Sequence, residues 1–191
     1  MRCLLMVVAA AVVTSGFAVG QEPSSMPDHL KDLQPLLGTW RYEGPLLEDV
    51  PGIATKGSHY VFQGTFRFIL DKQVLMEDWT VQYADGKKLM VKGMTGWNAA
   101  AKKLVNGAMD SAGGMTLGTI EIDGETKTIT LTTKGIDGEG KPSSLKATGK
   151  KIDEDTLTWQ ALERTGGMVE GKSPVYTLKR VERAKGKKAT N

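Results

Sequence analysis

From Thr39 onward, apolar and polar residues alternate with a period of two, and turn signals interrupt the alternation at Asp85-Gly86, Gly113-Gly114, Asp123-Gly124, Asp137-Gly138 and Gly166-Gly167. Alternation of this kind puts one face of an extended strand in a core and the other in solvent, and glycine-bearing pairs let consecutive strands reverse. Ten strands are predicted, over residues 39–43, 60–70, 74–83, 89–97, 104–111, 115–122, 126–133, 144–149, 157–164 and 175–183. No helical pattern falls between them. An open sheet of that many strands would leave exposed edges, so the pattern predicts a closed antiparallel up-and-down barrel.

The clearest strand is 60–70, where Tyr60, Phe62, Phe66, Phe68 and Leu70 share one face and Val61, Gln63, Thr65, Arg67 and Ile69 the other. Three phenylalanines on one face predict that this face meets the core. Upstream, Leu30, Leu33, Leu36 and Leu37 recur at helical spacing, which predicts one short helix interrupted at Pro35.

A 191-residue chain with 40% hydrophobic residues can bury a substantial core as one domain. The basic start Met1-Arg2, the apolar run over residues 4–13 and the small-x-small ending Ala18-Val19-Gly20 predict a secretory signal peptide at 1–20. The apolar run is too short to span a bilayer. The reading is therefore an exported chain, periplasmic or extracellular, with no transmembrane span once processed. Residues 21–26 read as a linker, 27–183 as the barrel and 184–191 as a basic disordered tail. Cys3 is the sole cysteine, so the processed chain would have no disulfide, thiolate nucleophile or cysteine-ligated metal. The formal charge of +3 owes much to six basic residues between Lys179 and Lys188. With no coherent basic stripe elsewhere, nucleic acid is not an expected partner.

Two resemblances arise here. Leu36-Leu37-Gly38-Thr39-Trp40, at the entrance to the first strand, resembles the Gly-x-Trp signature of lipocalin-like (calycin-type) barrels. The resemblance implies that Trp40 plugs the barrel floor and that an arginine of the last strand covers it. Arg180, in phase with Tyr176 and Leu178, is the candidate, so Gly38, Trp40 and Arg180 form the expected structural fingerprint. Over residues 29–183 the chain also resembles a bacterial lipocalin-like family of unknown function. The likeness is carried by 29–40, the aromatic strand from Tyr60 with Leu75-Met76-Glu77-Asp78, Gly93-Met94-Thr95-Gly96-Trp97-Asn98, Asp110-Ser111, 115–131 and 171–183. Ala108 stands where the family pattern leads one to expect tryptophan. Pro35 through Arg41 is similar to nitrobindin-type haem barrels, which hold iron through a histidine near the end of the barrel. No histidine follows His59, so no haem, other cofactor or metal is expected.

Gly166-Gly167-Met168-Val169-Glu170-Gly171-Lys172-Ser173 matches the phosphate-binding loop pattern. Such a loop needs a helix after it, to aim backbone N–H groups at phosphate, whereas Pro174 and a β-rich run follow. A hairpin loop with no nucleotide is the expectation. Glu77 shares a strand face with Leu75, Trp79, Val81 and Tyr83, which turns its carboxylate inward, where it must be paired, hydrogen-bonded or protonated. Arg67, Arg164 and Arg180 could serve as partners only if bulges brought them inside. The reading is a barrel whose interior binds a small apolar or amphipathic molecule without chemical change. Phe62, Phe66, Phe68, Trp79, Met94 and Trp159 are candidate lining residues, with Glu77 and Asp110 as polar contacts. The alternatives are a packed structural or interaction module of the cell envelope, and an enzyme, which would need His59, Glu77 or Asp110 to converge in one cleft.

Overall fold

The computed structural model describes residues 27–167 and 169–181. The expected signal peptide at 1–20, linker at 21–26 and basic tail at 184–191 all lie outside the described residues.

A single helical turn, α1 (Asp28–Lys31), and a 3-10 turn (Gln34–Leu36) precede ten strands. The break falls at Asp32 and Leu33, ahead of the expected Pro35, which sits inside the 3-10 turn; lacking an N–H, Pro35 cannot continue the α-helical bonding. The strands are β1 (Gly38–Pro45), β2 (His59–Ile69), β3 (Val74–Tyr83), β4 (Lys88–Asn98), β5 (Lys103–Asp110), β6 (Met115–Asp123), β7 (Thr128–Ile136), β8 (Pro142–Lys151), β9 (Thr156–Thr165) and β10 (Tyr176–Arg180). Each pairs antiparallel with its sequence neighbour, and β1 pairs with β10 to close the barrel. The all-β fold and its short leading helix agree with the sequence reading. Leu70 does not: it leaves the strand in a left-handed turn at φ 48° and is 68% exposed.

The floor is built around Trp40. Trp40 is fully buried, its indole N–H donating to the Leu36 carbonyl at 2.7 Å. Arg180 lies directly across the β1–β10 seam from it, with the guanidinium carbon 4.1 Å from the ring centroid. Arg180 also donates to the carbonyls of Leu37 (2.5 Å) and Glu154 (3.0 Å), tying the leading segment and the β8–β9 turn to the seam. Gly38 holds φ at 110°, and a β-carbon there would lie 2.7 Å from Arg180 Nη1. Only glycine satisfies both demands. Leu30 and Leu33, fully buried beneath the same end, complete the floor.

The opposite end is closed on one side by residues 46–58, which connect β1 to β2. Leu46 and Val50 from this strap enter the core. Glu48 accepts both guanidinium N–H groups of Arg164 at 2.9 and 2.8 Å, reaching past β10 to β9. A register shift between Lys146 and Ala147 sets the phase in which Arg164 stands opposite Leu145.

Beneath the strap, all four tyrosines of the chain, Tyr42, Tyr60, Tyr83 and Tyr176, meet ring to ring at 5.2–6.2 Å. Burial raises every one of their pKa values, pushing Tyr176 up to about 12, and the Glu48 carboxylate reinforces the rise at Tyr60, Tyr83 and Tyr176. The unfolded phenols ionise near pH 10, so above that pH the unfolded chain binds fewer protons than the folded one. Stability is therefore complete below about pH 10 and falls as pH rises toward about 12. A spectrophotometric titration should show phenolate absorbance lagging well behind four free tyrosines at about pH 11, then rising together with loss of fold. Four phenolates appearing near pH 10 in the folded protein would contradict this packing.

Candidate functional site

The inner faces of β2, β3 and β9 form an aromatic wall because alternation directs Phe62, Phe66, Trp79 and Trp159 inward. Phe62 stacks on Trp79 at 4.7 Å, Phe66 meets Trp79 edge-on at 5.2 Å, and Trp159 lies 5.9 Å from Trp79. Room for the tryptophans comes from glycines on adjacent strands. A β-carbon on Gly64, opposite Trp79, would sit 2.3 Å from the indole. Gly149 stands in the same relation to Trp159, at 3.3 Å.

Against this wall sits a polar cluster. Glu77 Oε1 accepts from Asn106 Nδ2 at 2.6 Å, and Glu77 Oε2 accepts from Trp79 Nε1 at 2.9 Å. Asn106 Nδ2 also donates to Thr95 Oγ1 at 3.0 Å. Thr95 and Asn106 are buried and face each other across β4 and β5. Gly93 makes space for the carboxylate, since a β-carbon there would lie 2.5 Å from Glu77 Oε1. The cluster borders an internal void of about 40 Å3 lined by Phe66, Leu75, Glu77, Trp79, Leu131 and Trp159 among others, room for a few water molecules. Below it, a cleft of about 510 Å3 opens between the leading segment and the β6–β7 and β8–β9 turns. Leu36 and Ile129 line both spaces.

The remaining sequence candidates lie elsewhere. Phe62 backs Trp79, and Phe68 packs against the core one inward step nearer the floor, opposite Leu75. Met94 is on the outer wall, 57% exposed, because the inward positions of β4 are taken by Gly93 and Thr95. Asp110 sits at the upper rim, where its Oδ1 accepts from the N–H groups of Ala112 and Gly114 and so fixes the β5–β6 turn. His59 is an exposed partner of Glu43 at 3.4 Å, and His29 stacks on Trp97 at 4.1 Å. His59, Glu77 and Asp110 therefore do not share a cleft. Arg164 turns to Glu48, not to Glu77, and Arg67 lies outside against Asp78 and Met76.

Residues 166–173 lie in the connection from β9 to β10. The Gly171 and Ser173 N–H groups donate back to the carbonyls of Arg164 and Ala161, and the Ser173 hydroxyl accepts from Ala161 N–H. These groups knit the loop to β9, and β10 follows where a phosphate-binding loop would open a helix. Outside the barrel, Met76 stands opposite Met94 and Met109 opposite Met115. With Met90 and Leu117 they line a shallow apolar depression of about 530 Å3. Among the described residues no helix is long and apolar enough to cross a membrane, and no group of three His, Cys, Asp or Glu side chains is arranged to hold a metal.

These features define a ten-stranded up-and-down β-barrel with a tryptophan-plugged floor and a carboxylate inside an aromatic wall. The chain belongs to the protein family of unknown function DUF1579, whose profile matches residues 26–172. Eleven chains among solved structures also match. One is the crystal structure of Rv2717c from M. tuberculosis, similar at 20% identity and a TM-score of 0.57, over 83% of this chain and all of that one. That likeness concerns the fold alone. No curated protein matched the sequence.

Proposed function

We propose that this barrel works in the lipocalin manner, holding one small apolar or amphipathic molecule in its interior without transforming it. The observation that supports this most is the void beside Glu77. A carboxylate is the sole charged group among the described residues that line it, and apart from Thr95 and Gly149 aromatic and aliphatic side chains supply the rest. Binding sites of this kind pair a mostly apolar wall with a few polar groups that fix orientation. The void is small, so a ligand would enlarge it by turning Trp159, which is only partly buried, while the Trp79 indole stays bonded to Glu77. Leu36 and Ile129, shared with the lower cleft, mark the shortest access route. The sequence of residues 1–20 supports export to the periplasm or beyond, and N-terminal sequencing of the purified protein should begin at Gln21.

A second reading, an interaction module with a packed core, draws on the exposed wall of Met90, Met94, Met109, Met115 and Leu117, because contiguous apolar surface marks docking sites. Thermal melting against small alcohols, amines and carboxylic acids separates the two. Saturation at a hundredfold above Kd adds about 2.7 kcal/mol, and each kcal/mol raises Tm by about 2–4 °C in a domain of this size. At least one class should therefore raise Tm by about 5 °C or more. Leu131→Phe, which fills the void, should abolish the shift while still melting cooperatively. No shift from any class would favour the packed module.

A further inference from the structure

We propose that the interior site selects a small organic cation of the alkylammonium type, an inference that rests on the interior-binding reading above. The charge balance of the barrel carries it. Glu77 places a carboxylate among apolar side chains, and both groups that donate to it, the Trp79 indole and the Asn106 amide, are neutral. Among the described residues no Lys, Arg or His lines the void or pairs with this carboxylate. Every arginine of the barrel wall is committed elsewhere: Arg41 to Glu43, Arg67 to Asp78, Arg164 to Glu48 and Arg180 to Trp40 and the floor carbonyls. An anion in apolar surroundings is stabilised by hydrogen bonds and further by a positive charge; here two neutral donors meet it and no cationic side chain does.

The remaining features fit a cation as the missing partner. A carboxylate offers about four lone-pair sites, and Asn106 and Trp79 occupy one on each oxygen, leaving acceptor capacity for a ligand. Phe66, Trp79 and Trp159 border the same void, and aromatic faces attract ammonium groups, more strongly when desolvated. Gly93 and the two hydrogen bonds hold the carboxylate in place, so the Glu77 side chain itself needs little ordering on binding. An anionic ligand would be repelled. A neutral one would gain no charge compensation.

The test is calorimetric titration of the full processed chain with choline, with its neutral isostere 3,3-dimethyl-1-butanol and with the anion 3,3-dimethylbutanoate. Choline should bind at least about tenfold more tightly than the alcohol, and the anion least. Glu77→Gln, checked for unchanged cooperative melting, should reduce the choline preference to within about twofold. Should that variant fail to fold, the wild-type comparison of choline with the alcohol still decides. Equal binding of choline and alcohol, or tighter binding of the anion, overturns the cation assignment and leaves interior binding standing. No binding of any of the three overturns the cation assignment, and a blank melting panel beside it removes the interior reading as well.

Discussion

Replacing Trp40 by alanine is expected to lower the unfolding free energy by about 4 kcal/mol or more. Truncating a buried tryptophan costs about 3–5 kcal/mol through lost burial and the cavity left behind. Here the change also strands the Leu36 carbonyl and removes the ring beneath Arg180. Arg180→Ala removes the cation over the ring and the hydrogen bonds to the Leu37 and Glu154 carbonyls, which lie near solvent, and it leaves no large buried cavity, so it should cost less, about 1–2 kcal/mol. A double-mutant cycle in urea should return a coupling of about 0.5–2 kcal/mol between the two. A loss below about 1 kcal/mol for Trp40→Ala would mean that the floor is not the keystone of the closure. The β1–β10 seam is only two residue pairs long, so floor contacts have much of the closing to do.

The second large effect comes from adding one methyl group. A β-carbon on Gly118 would sit 1.9 Å from the Thr132 carbonyl oxygen, and one on Gly135 1.9 Å from that of Met115. Both obstructions are backbone, so no rotamer change relieves them. The β6–β7 ladder itself would have to move. Gly118→Ala and Gly135→Ala should each cost about 2–3 kcal/mol, at the upper end of overpacking effects. Gly96→Ala is the control, since its nearest neighbour would be Val74 Cγ2 at 3.8 Å, and it should stay within about 0.5 kcal/mol of wild type. Similar unfolding midpoints for all three would show that β6 and β7 do not approach this closely.

Most of the barrel was legible because burial enforces a period of two. The aromatic face of β2 and the inward phase of Leu75, Glu77 and Trp79 on β3 followed directly from alternation. Met94 shows where that reasoning fails. On β4 the bulky apolar residues Met90 and Met94 point outward and the small Gly93 and Thr95 point inward, so hydrophobicity and phase disagree, and phase wins. Asn106 could have been found, since it shares its phase with Leu104 and Ala108, but nothing local joins it to a glutamate 29 positions earlier. Sequence offers Arg164 as a partner for Glu77 only through a bulge, and its partner in the fold lies in the β1–β2 strap, 116 residues away. The pairing of bulky inward residues with glycines, Trp79 with Gly64 and Glu77 with Gly93, depends on register, which composition does not encode.

The interior carboxylate matters to function only if something other than water meets it. Native mass spectrometry of the protein purified from its own host, followed by extraction and identification of any released small molecule, tests this most directly. Interior binding predicts one small molecule per chain, and the cation assignment adds that it is cationic at neutral pH and held less tightly by Glu77→Gln. A clean unliganded mass, together with a melting temperature that no small molecule moves, would contradict it.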